Sequence, residues 1–208
     1  MTIIINKSSL TDNLFTIITG NSRLLGGAAL IDSFGIYKKA NALVKRIGTR
    51  DTRQIASELG IKIYYENYDN LLGMYTYRWK QRMIFLNNNL DDPMRQMVLA
   101  HEIGHDIFHR NLASDGLKEF ELFDMKNTTE YEANIFGSHL LIDNDEVLAL
   151  ARDGYDIVQI SSMLNSHINL LLIKMQEMNK MGYDFNVPCR PEGDFLKKIK
   201  VKNSYMSS

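Results

Sequence analysis

The spacing of hydrophobic residues changes twice along the chain. From Tyr37 to residue 60, apolar residues recur every three or four positions and predict helices at 37–47 and 51–59. Segments rich in β-branched and aromatic residues then predict the strands of a small antiparallel sheet. These segments are 61–65, 74–79 and 83–86. The helical spacing returns after Pro93 and continues for most of the remaining chain.

Two long helices are predicted after Pro93, at 94–109 and 129–142. Three shorter amphipathic helices follow them. The three lie at 144–153, 156–164 and 167–181. A small sheet accompanied by separate helices indicates an α+β fold, with the two long helices packed beside the sheet.

The composition is that of a soluble globular protein, with 45% hydrophobic and 24% charged residues among 208. The net charge of −1 gives no general attraction to nucleic acid or to anionic lipid. No apolar run approaches the roughly 20 residues that cross a bilayer. The single cysteine, Cys189, excludes an internal disulfide and fits a reducing compartment. We therefore expect a cytoplasmic protein with no membrane partner.

One short stretch indicates metal chemistry. Residues 101–105 read H-E-x-x-H and lie within the first long helix. His101 and His105 are four residues apart, so both imidazoles lie on one helical face and can bind one zinc ion. Glu102 lies beside the remaining coordination position, where it can take a proton from a water molecule whose pKa the metal has lowered. The stretch predicts a metal site with Glu102 as general base.

The third metal ligand has to come from outside this stretch. His109 continues the four-residue spacing, but about 12 Å of rigid helix separates it from His101, which is too far to share an ion. Metzincins place a histidine six residues after the second ligand, and Asn111 stands at that position here. His109 is therefore predicted to support the site or the helix end, and Asn134 is given a similar supporting role.

A carboxylate from the second long helix is the preferred third ligand. Glu132 lies in an apolar part of that helix, where a carboxylate is costly to bury unless it meets a cation. Ala133 and Gly137 on this helix, with Gly104 on the first, would let the two helices approach closely. Glu130 is the alternative, although it is better described as an exposed first-turn carboxylate that the helix dipole favours.

From Tyr37 to about Tyr183 the chain resembles the ImmA/IrrE family of gluzincin-like metallo-endopeptidases. The resemblance rests on the segments 37–44, 55–61, 100–109 and 132–136. It implies that His101, His105 and Glu132 bind one Zn²⁺ per chain, or Mn²⁺ or another divalent ion instead. It also implies a peptidase whose substrate is a helix-turn-helix repressor of a mobile element or of a stress regulon.

The pattern divides the chain into four parts. Residues 36–143 are predicted to form a zincin-like metallopeptidase domain, and 144–185 a helical, helix-turn-helix-like part packed on it. Residues 1–35 have no recognisable counterpart. Residues 186–208, with two prolines and a lysine-rich run, are predicted to be a flexible tail.

Two other functions are compatible with parts of the sequence. A non-catalytic anti-repressor would bind a repressor while the metal only stabilises its fold, but such a site needs no general base at Glu102. Residues 156–181 have the spacing of a helix-turn-helix, which would read DNA directly. Their second helix offers few side chains that recognise bases, so we do not expect direct binding to nucleic acid.

Substrate contacts are predicted only in outline. The candidates for stabilising the oxyanion are Tyr75, Tyr77, Tyr131 and His139. The substrate is expected to add as a strand to an exposed sheet edge, formed by 71–79 or its hairpin partner. Residues 115–147 carry nine acidic and two basic side chains, an excess that would attract a basic protein substrate.

Overall fold

The computed structural model describes residues 31–119 and 127–187. In chain order the elements are α1 (Ser33–Ile47), α2 (Thr52–Glu58), β1 (Lys62–Glu66), β2 (Gly73–Arg78), β3 (Gln81–Asn87), α3 (Asp92–Phe108), β4 (Leu117–Glu119), α4 (Thr128–Leu141), α5 (Asn144–Arg152), α6 (Ile157–Met163) and α7 (Ile168–Lys180). A 3₁₀ helix at Arg110–Asp115 joins α3 to β4. The predicted α+β class is confirmed. The predicted tail and most of the N-terminal part lie outside the described residues.

Capping groups explain where the helices begin and end. The side chain of Asp32 accepts a hydrogen bond from the backbone N–H of Gly35, so α1 begins one turn earlier than its apolar spacing predicts. Gly48 ends α1 in a left-handed conformation with φ of 82°. Asp91 caps α3 by accepting from Met94 N, and Asn127 caps α4 by accepting from Thr129 N.

The four strands form one sheet in the order β1-β3-β2-β4. The predicted hairpin joins β2 to β3, and Trp79 and Lys80 form its turn with positive φ. The sheet is mixed rather than wholly antiparallel, because β3 lies next to β1 and runs parallel to it. β4 pairs antiparallel with the other side of β2.

This strand order limits the predicted substrate edge. β3 is an inner strand, and β4 covers the first half of β2 by pairing with Gly73, Met74 and Tyr75, so neither β3 nor this part of β2 forms an exposed edge. In the part of the chain that the structure describes, β1 and β4 are the outer strands. The short β4 could not be foreseen, because three residues are too few to show a clear strand pattern.

A buried carboxylate fixes α3 against the sheet. Asp106 on α3 is 1% exposed, and it accepts a hydrogen bond of 2.7 Å from the hydroxyl of Tyr75 on β2. Arg82 on β3 and Arg110 donate to its other oxygen, at 3.1 and 3.0 Å. A buried charge is tolerated when donors surround it in this way. The same contacts hold β2 against the C-terminal end of α3.

Small residues allow α3 and α4 to pack closely. A Cβ added at Gly104 on α3 would lie 3.1 Å from the Cα atom of Ala133 on α4. A Cβ added at Gly137 would lie 3.6 Å from the Cβ of Ala100, which is an ordinary van der Waals distance. The two backbones therefore touch most tightly at Gly104, one position before His105.

The last three helices share a hydrophobic core with the sheet and with α3. The core includes Val147, Ile160 and Leu171 from these helices, together with Leu86 and Val98. The predicted division of the chain at residue 143 stays a prediction. Among the described helices, none has the length and apolar character that crossing a membrane requires.

We expect Gly104→Val to lower the free energy of unfolding by about 1–3 kcal/mol, because its branched side chain overpacks the contact with Ala133. Gly137→Ala is the matched control on the same helix pair. It should be neutral or stabilising by up to about 1 kcal/mol, because alanine is the better helix former. Urea unfolding followed by circular dichroism measures both. Equal losses in the two variants would contradict the proposed close contact.

Candidate metal centre

Four side chains from three elements converge on one point. His101 and His105 come from α3, Glu119 from β4 and Glu130 from α4, and one ligand atom of each lies within 4.8 Å of the others. His101 Nε2 lies 3.0 Å from Glu130 Oε2 and 3.1 Å from Glu119 Oε2. His105 Nε2 lies 3.3 Å from Glu130 Oε2 and 2.9 Å from His101 Nε2. We call these four residues the cluster.

The donor atoms of the cluster suit a divalent metal ion. Neutral imidazole nitrogens and carboxylate oxygens are the ligands that zinc takes in proteins, at about 2.0–2.2 Å. Two donors at that distance from one tetrahedral ion lie about 3.3 Å apart. The four separations given above are within a few tenths of an ångström of this value. The cluster can therefore hold an ion without large rearrangement.

A second layer of hydrogen bonds holds the outer nitrogen of each histidine. Asn134 Oδ1 on α4 lies 3.0 Å from His101 Nδ1. His109 Nδ1 lies 2.9 Å from His105 Nδ1, and His109 Nε2 lies 2.9 Å from Glu132 Oε2. If His105 presents Nε2 to a metal, its Nδ1–H donates to His109, which then donates from Nε2 to Glu132. The hydrogen bonds thus fix one consistent set of tautomers.

The side chain of Glu102 packs against Gly73, the first residue of β2. Its side chain is fully buried, and neither carboxylate oxygen has a hydrogen-bond partner among the described residues. A Cβ at Gly73 would lie 2.7 Å from Glu102 Oε1, so only glycine lets the strand lie so close. Burial raises the pKa of Glu102 well above its ordinary value. The charge of His101 opposes this rise, and the negative charges of Glu119 and Glu130 add to it. Such a carboxyl group is suited to transferring a proton.

The charges in the cluster partly compensate one another. Burial disfavours a charged His101, but hydrogen bonds to Glu119 and Glu130 outweigh it and raise the pKa of His101 to about 10. Burial lowers the pKa of His105 to about 4. Hydrogen bonds from both histidines outweigh the burial of Glu130 and lower its pKa. Without a metal, a proton on His101 supplies the positive charge between the glutamates. A bound metal cation would replace this proton and release it.

Comparison with known proteins assigns the chain to a family. Residues 56–178 match the model of peptidase family M78, described as the IrrE N-terminal-like domain. The match covers more than half of the chain. The chain belongs to this family. The resemblance to ImmA/IrrE proteins that the motifs indicated is confirmed.

Two relatives extend the comparison. The chain is 32% identical over 101 residues to the uncharacterized immunity region protein 2 of Bacillus phage phi105, covering 48% of this chain and 63% of that protein. It is 28% identical over 138 residues to metallopeptidase ImmA of Bacillus subtilis (strain 168), covering 64% of this chain and 79% of ImmA. The chain thus spans less than two thirds of the length of the phage relative.

In this M78 protein the structure brings His101 and His105 together but directs Glu132 elsewhere. The carboxylate of Glu132 lies against His109, and Glu130 takes the position beside the two histidines. The angular positions of the two glutamates around α4 explain this arrangement. Ala133 and Gly137 mark the face of α4 that packs on α3, and Glu130 lies three and seven residues before them on that face. Glu132 points about 200° away from Glu130 around the helix axis.

Glu119 was missed as a site residue. In the sequence it belonged only to the acidic run, and no spacing connects it to the H-E-x-x-H stretch. It reaches the cluster because β4 pairs with β2, and a strand of three residues was not predicted. Glu130 was discoverable, because the same small residues that indicated helix contact also define which face of α4 meets α3.

The four oxyanion candidates have partners outside the cluster. The hydroxyl of Tyr75 donates to Asp106, and that of Tyr131 donates to Glu177 at 3.0 Å. Tyr77 lies with its ring beside the guanidinium of Arg110. His139 is buried, with its Nδ1 3.0 Å from Nζ of Lys174 on α7. The identity of an oxyanion donor stays a prediction.

The Lys174–His139 contact predicts a pH dependence of stability. Burial and the charge of Arg50 lower the pKa of Lys174 from 10.5 to about 7. Below about pH 7 the folded protein bears the full cost of burying a charged lysine. This cost disappears as the pH rises to 10.5, the pKa of lysine in the unfolded chain. We expect the free energy of unfolding of the wild type to rise between pH 7 and 10 relative to Lys174→Met, by at most about 1.4 kcal/mol per unit. Urea unfolding at pH 7, 8 and 9 measures this, and parallel curves for the two proteins would contradict it.

Proposed function

We propose that the protein is a zinc-dependent endopeptidase whose metal is bound by His101, His105 and Glu130. The observation that carries this proposal is the buried Glu102, whose oxygens have no partner among the described residues and which lies beside a cluster of metal-ligand donors. A group of this kind is expected beside a metal that activates water. Membership of a peptidase family supports the same conclusion.

The side chains have separate roles in the proposed reaction. When bound, the metal would polarise the scissile carbonyl and make a water molecule more acidic. Glu102 accepts the proton of the attacking water and delivers it to the nitrogen of the leaving amine. Its raised pKa favours this role, because the carboxyl group can hold the proton between the two transfers. The buried setting excludes bulk water from that exchange.

Asn134 and the His109–Glu132 pair are proposed to orient the two histidine ligands. Asn134 accepts a hydrogen bond from the ring nitrogen of His101 that faces away from the metal. His109 accepts the corresponding hydrogen bond from His105 and donates to Glu132. Such contacts fix the tautomer and the ring plane of a ligand and raise its basicity. Glu132 thus supports the site through two histidines rather than by binding the metal itself.

The proposed substrate is a helix-turn-helix repressor of a mobile element or of a stress regulon. The names of two relatives accord with it, one a metallopeptidase and the other a phage immunity region protein. The protein would act on this partner without binding nucleic acid. Purified repressors encoded near the gene, incubated with and without a chelator, are the direct test of this substrate class.

A second candidate function is a non-catalytic protein that binds a repressor around a structural metal. One observation favours it, because Glu119 brings the cluster to four protein donors, the number found in structural zinc sites. The buried Glu102 favours the enzyme, because a structural site has no use for a fully buried carboxyl group at its side.

We expect Glu130→Ala to weaken zinc binding at least tenfold more than Glu132→Ala does. Glu130 contributes a ligand atom and a negative charge, whereas loss of an outer contact such as Glu132 typically costs 10–100-fold in affinity. The two residues lie on the same helix, so each variant controls for the other. Competition with a chromophoric chelator gives the dissociation constants. Retention of zinc by Glu130→Ala and its loss from Glu132→Ala would restore Glu132 as the third ligand.

Glu102→Gln should bind zinc and keep its unfolding free energy, yet lose proteolysis by a factor of about 10² or more. The amide preserves the shape of the side chain but cannot take a proton. Zinc content and cleavage of the repressor are measured on the same preparation. If Glu102→Gln induced the regulated genes as well as the wild type does, the binding-only function would be favoured.

A further inference from the structure

Glu119 reaches the same cluster from a different element than the other three residues. It is the last residue of β4, its side chain is 7% exposed, and its Oε2 lies 3.1 Å from His101 Nε2. That nitrogen is also the one that faces Glu130 and His105. Glu119 is therefore aimed at the same point as the three proposed ligands.

The backbone of β2 holds Glu119 in this position. Glu119 is paired with Gly73, and its carbonyl accepts a hydrogen bond of 2.8 Å from Leu72 N. Gly73 is also the residue that lies against Glu102. One position on β2 thus places the proposed general base on α3 and the carboxylate of β4 near the same point. Side chains alternate along a strand, so Glu119 faces the cluster and Lys118 is exposed.

A fourth protein ligand would change the chemistry of the site. Catalytic zinc sites use three protein ligands and keep one position for water or substrate, whereas four protein ligands close the site. A second carboxylate also cancels the remaining positive charge of a dication bound by two neutral histidines and one glutamate. The metal would then polarise a carbonyl less strongly.

We propose that Glu119 is a fourth protein ligand that fills the coordination position needed by the attacking water, so that β4 holds the enzyme closed. This inference rests on the proposed metal site and adds its regulation. Cleavage would require the carboxylate of Glu119 to leave the metal. A partner or substrate strand that pairs with the sheet at β4 would supply the competing contact, because β4 is an outer strand of the described sheet.

The test is whether a small anion can reach the metal. The full-length protein is loaded with Co²⁺, and azide binding is followed by the visible absorption of the cobalt. We expect azide to bind Glu119→Ala at least tenfold more tightly than the wild type, because the substitution opens a coordination position. Lys118→Ala, the neighbour that faces solvent, is the matched control and should behave like the wild type.

A second measurement uses zinc. Glu119→Gln keeps the size of the side chain and should weaken zinc binding at least tenfold, because it removes a charged ligand. Wild-type protein that binds azide as tightly as Glu119→Ala, or Glu119→Gln with unchanged zinc affinity, would overturn the proposal. If Glu119→Ala fails to fold, saturable azide binding by the cobalt-loaded wild type would by itself overturn the proposal, because a closed site has no position for the anion. None of these measurements needs peptidase activity. Full proteolysis by Glu102→Gln would contradict the proposed function, whereas the azide and zinc measurements test only whether Glu119 binds the metal.

Discussion

The contact between α3 and α4 at Gly104 determines the rest of the site. Because Gly104 has no side chain, the backbone of Ala133 can lie against α3 one residue before His105. This contact fixes both the distance between the helices and their rotation. With Ala133 facing α3, the helical period also turns Glu130 and Asn134 towards His101. One close approach between backbones therefore positions a proposed ligand and the side chain that orients another.

The buried charges of the cluster need a cation. Two glutamates lie beside His101, and Glu102 is fully buried next to them. Removing several carboxylates from water is costly unless positive charge compensates them. A proton on His101 supplies part of that charge, which is why its pKa rises even though burial acts in the opposite direction. A divalent ion would supply more, so metal binding and the stability of this region are coupled.

Much of the fold could be predicted because its signals are local. Helix ends follow from caps such as Asp91 and Gly48, and the hairpin follows from its two strands. The H-E-x-x-H histidines need only the helical period to meet. The apolar neighbours of Glu132 indicate a buried carboxylate and so favour it over Glu130. They do not show which face of α4 the small residues turn towards α3, and that face decides which glutamate meets the histidines. Glu119 depends on pairing between β4 and β2, more than forty residues apart in the chain, and that contact has no local signal.

Because β4 pairs with β2, the charge at the site depends on the position of β4, which the helices alone would not cause. The helices hold His101, His105 and Glu130 through extensive packing, whereas β4 holds Glu119 through a strand of three residues. Glu119 faces Gly73 in the present register, so a shift of β4 by one residue in the direction that brings Lys118 opposite Gly73 would place a lysine at the cluster. A lysine there would repel the metal that a glutamate binds. The register of this short strand therefore controls whether β4 adds a negative or a positive charge to the centre, while the helix-borne ligands stay in place.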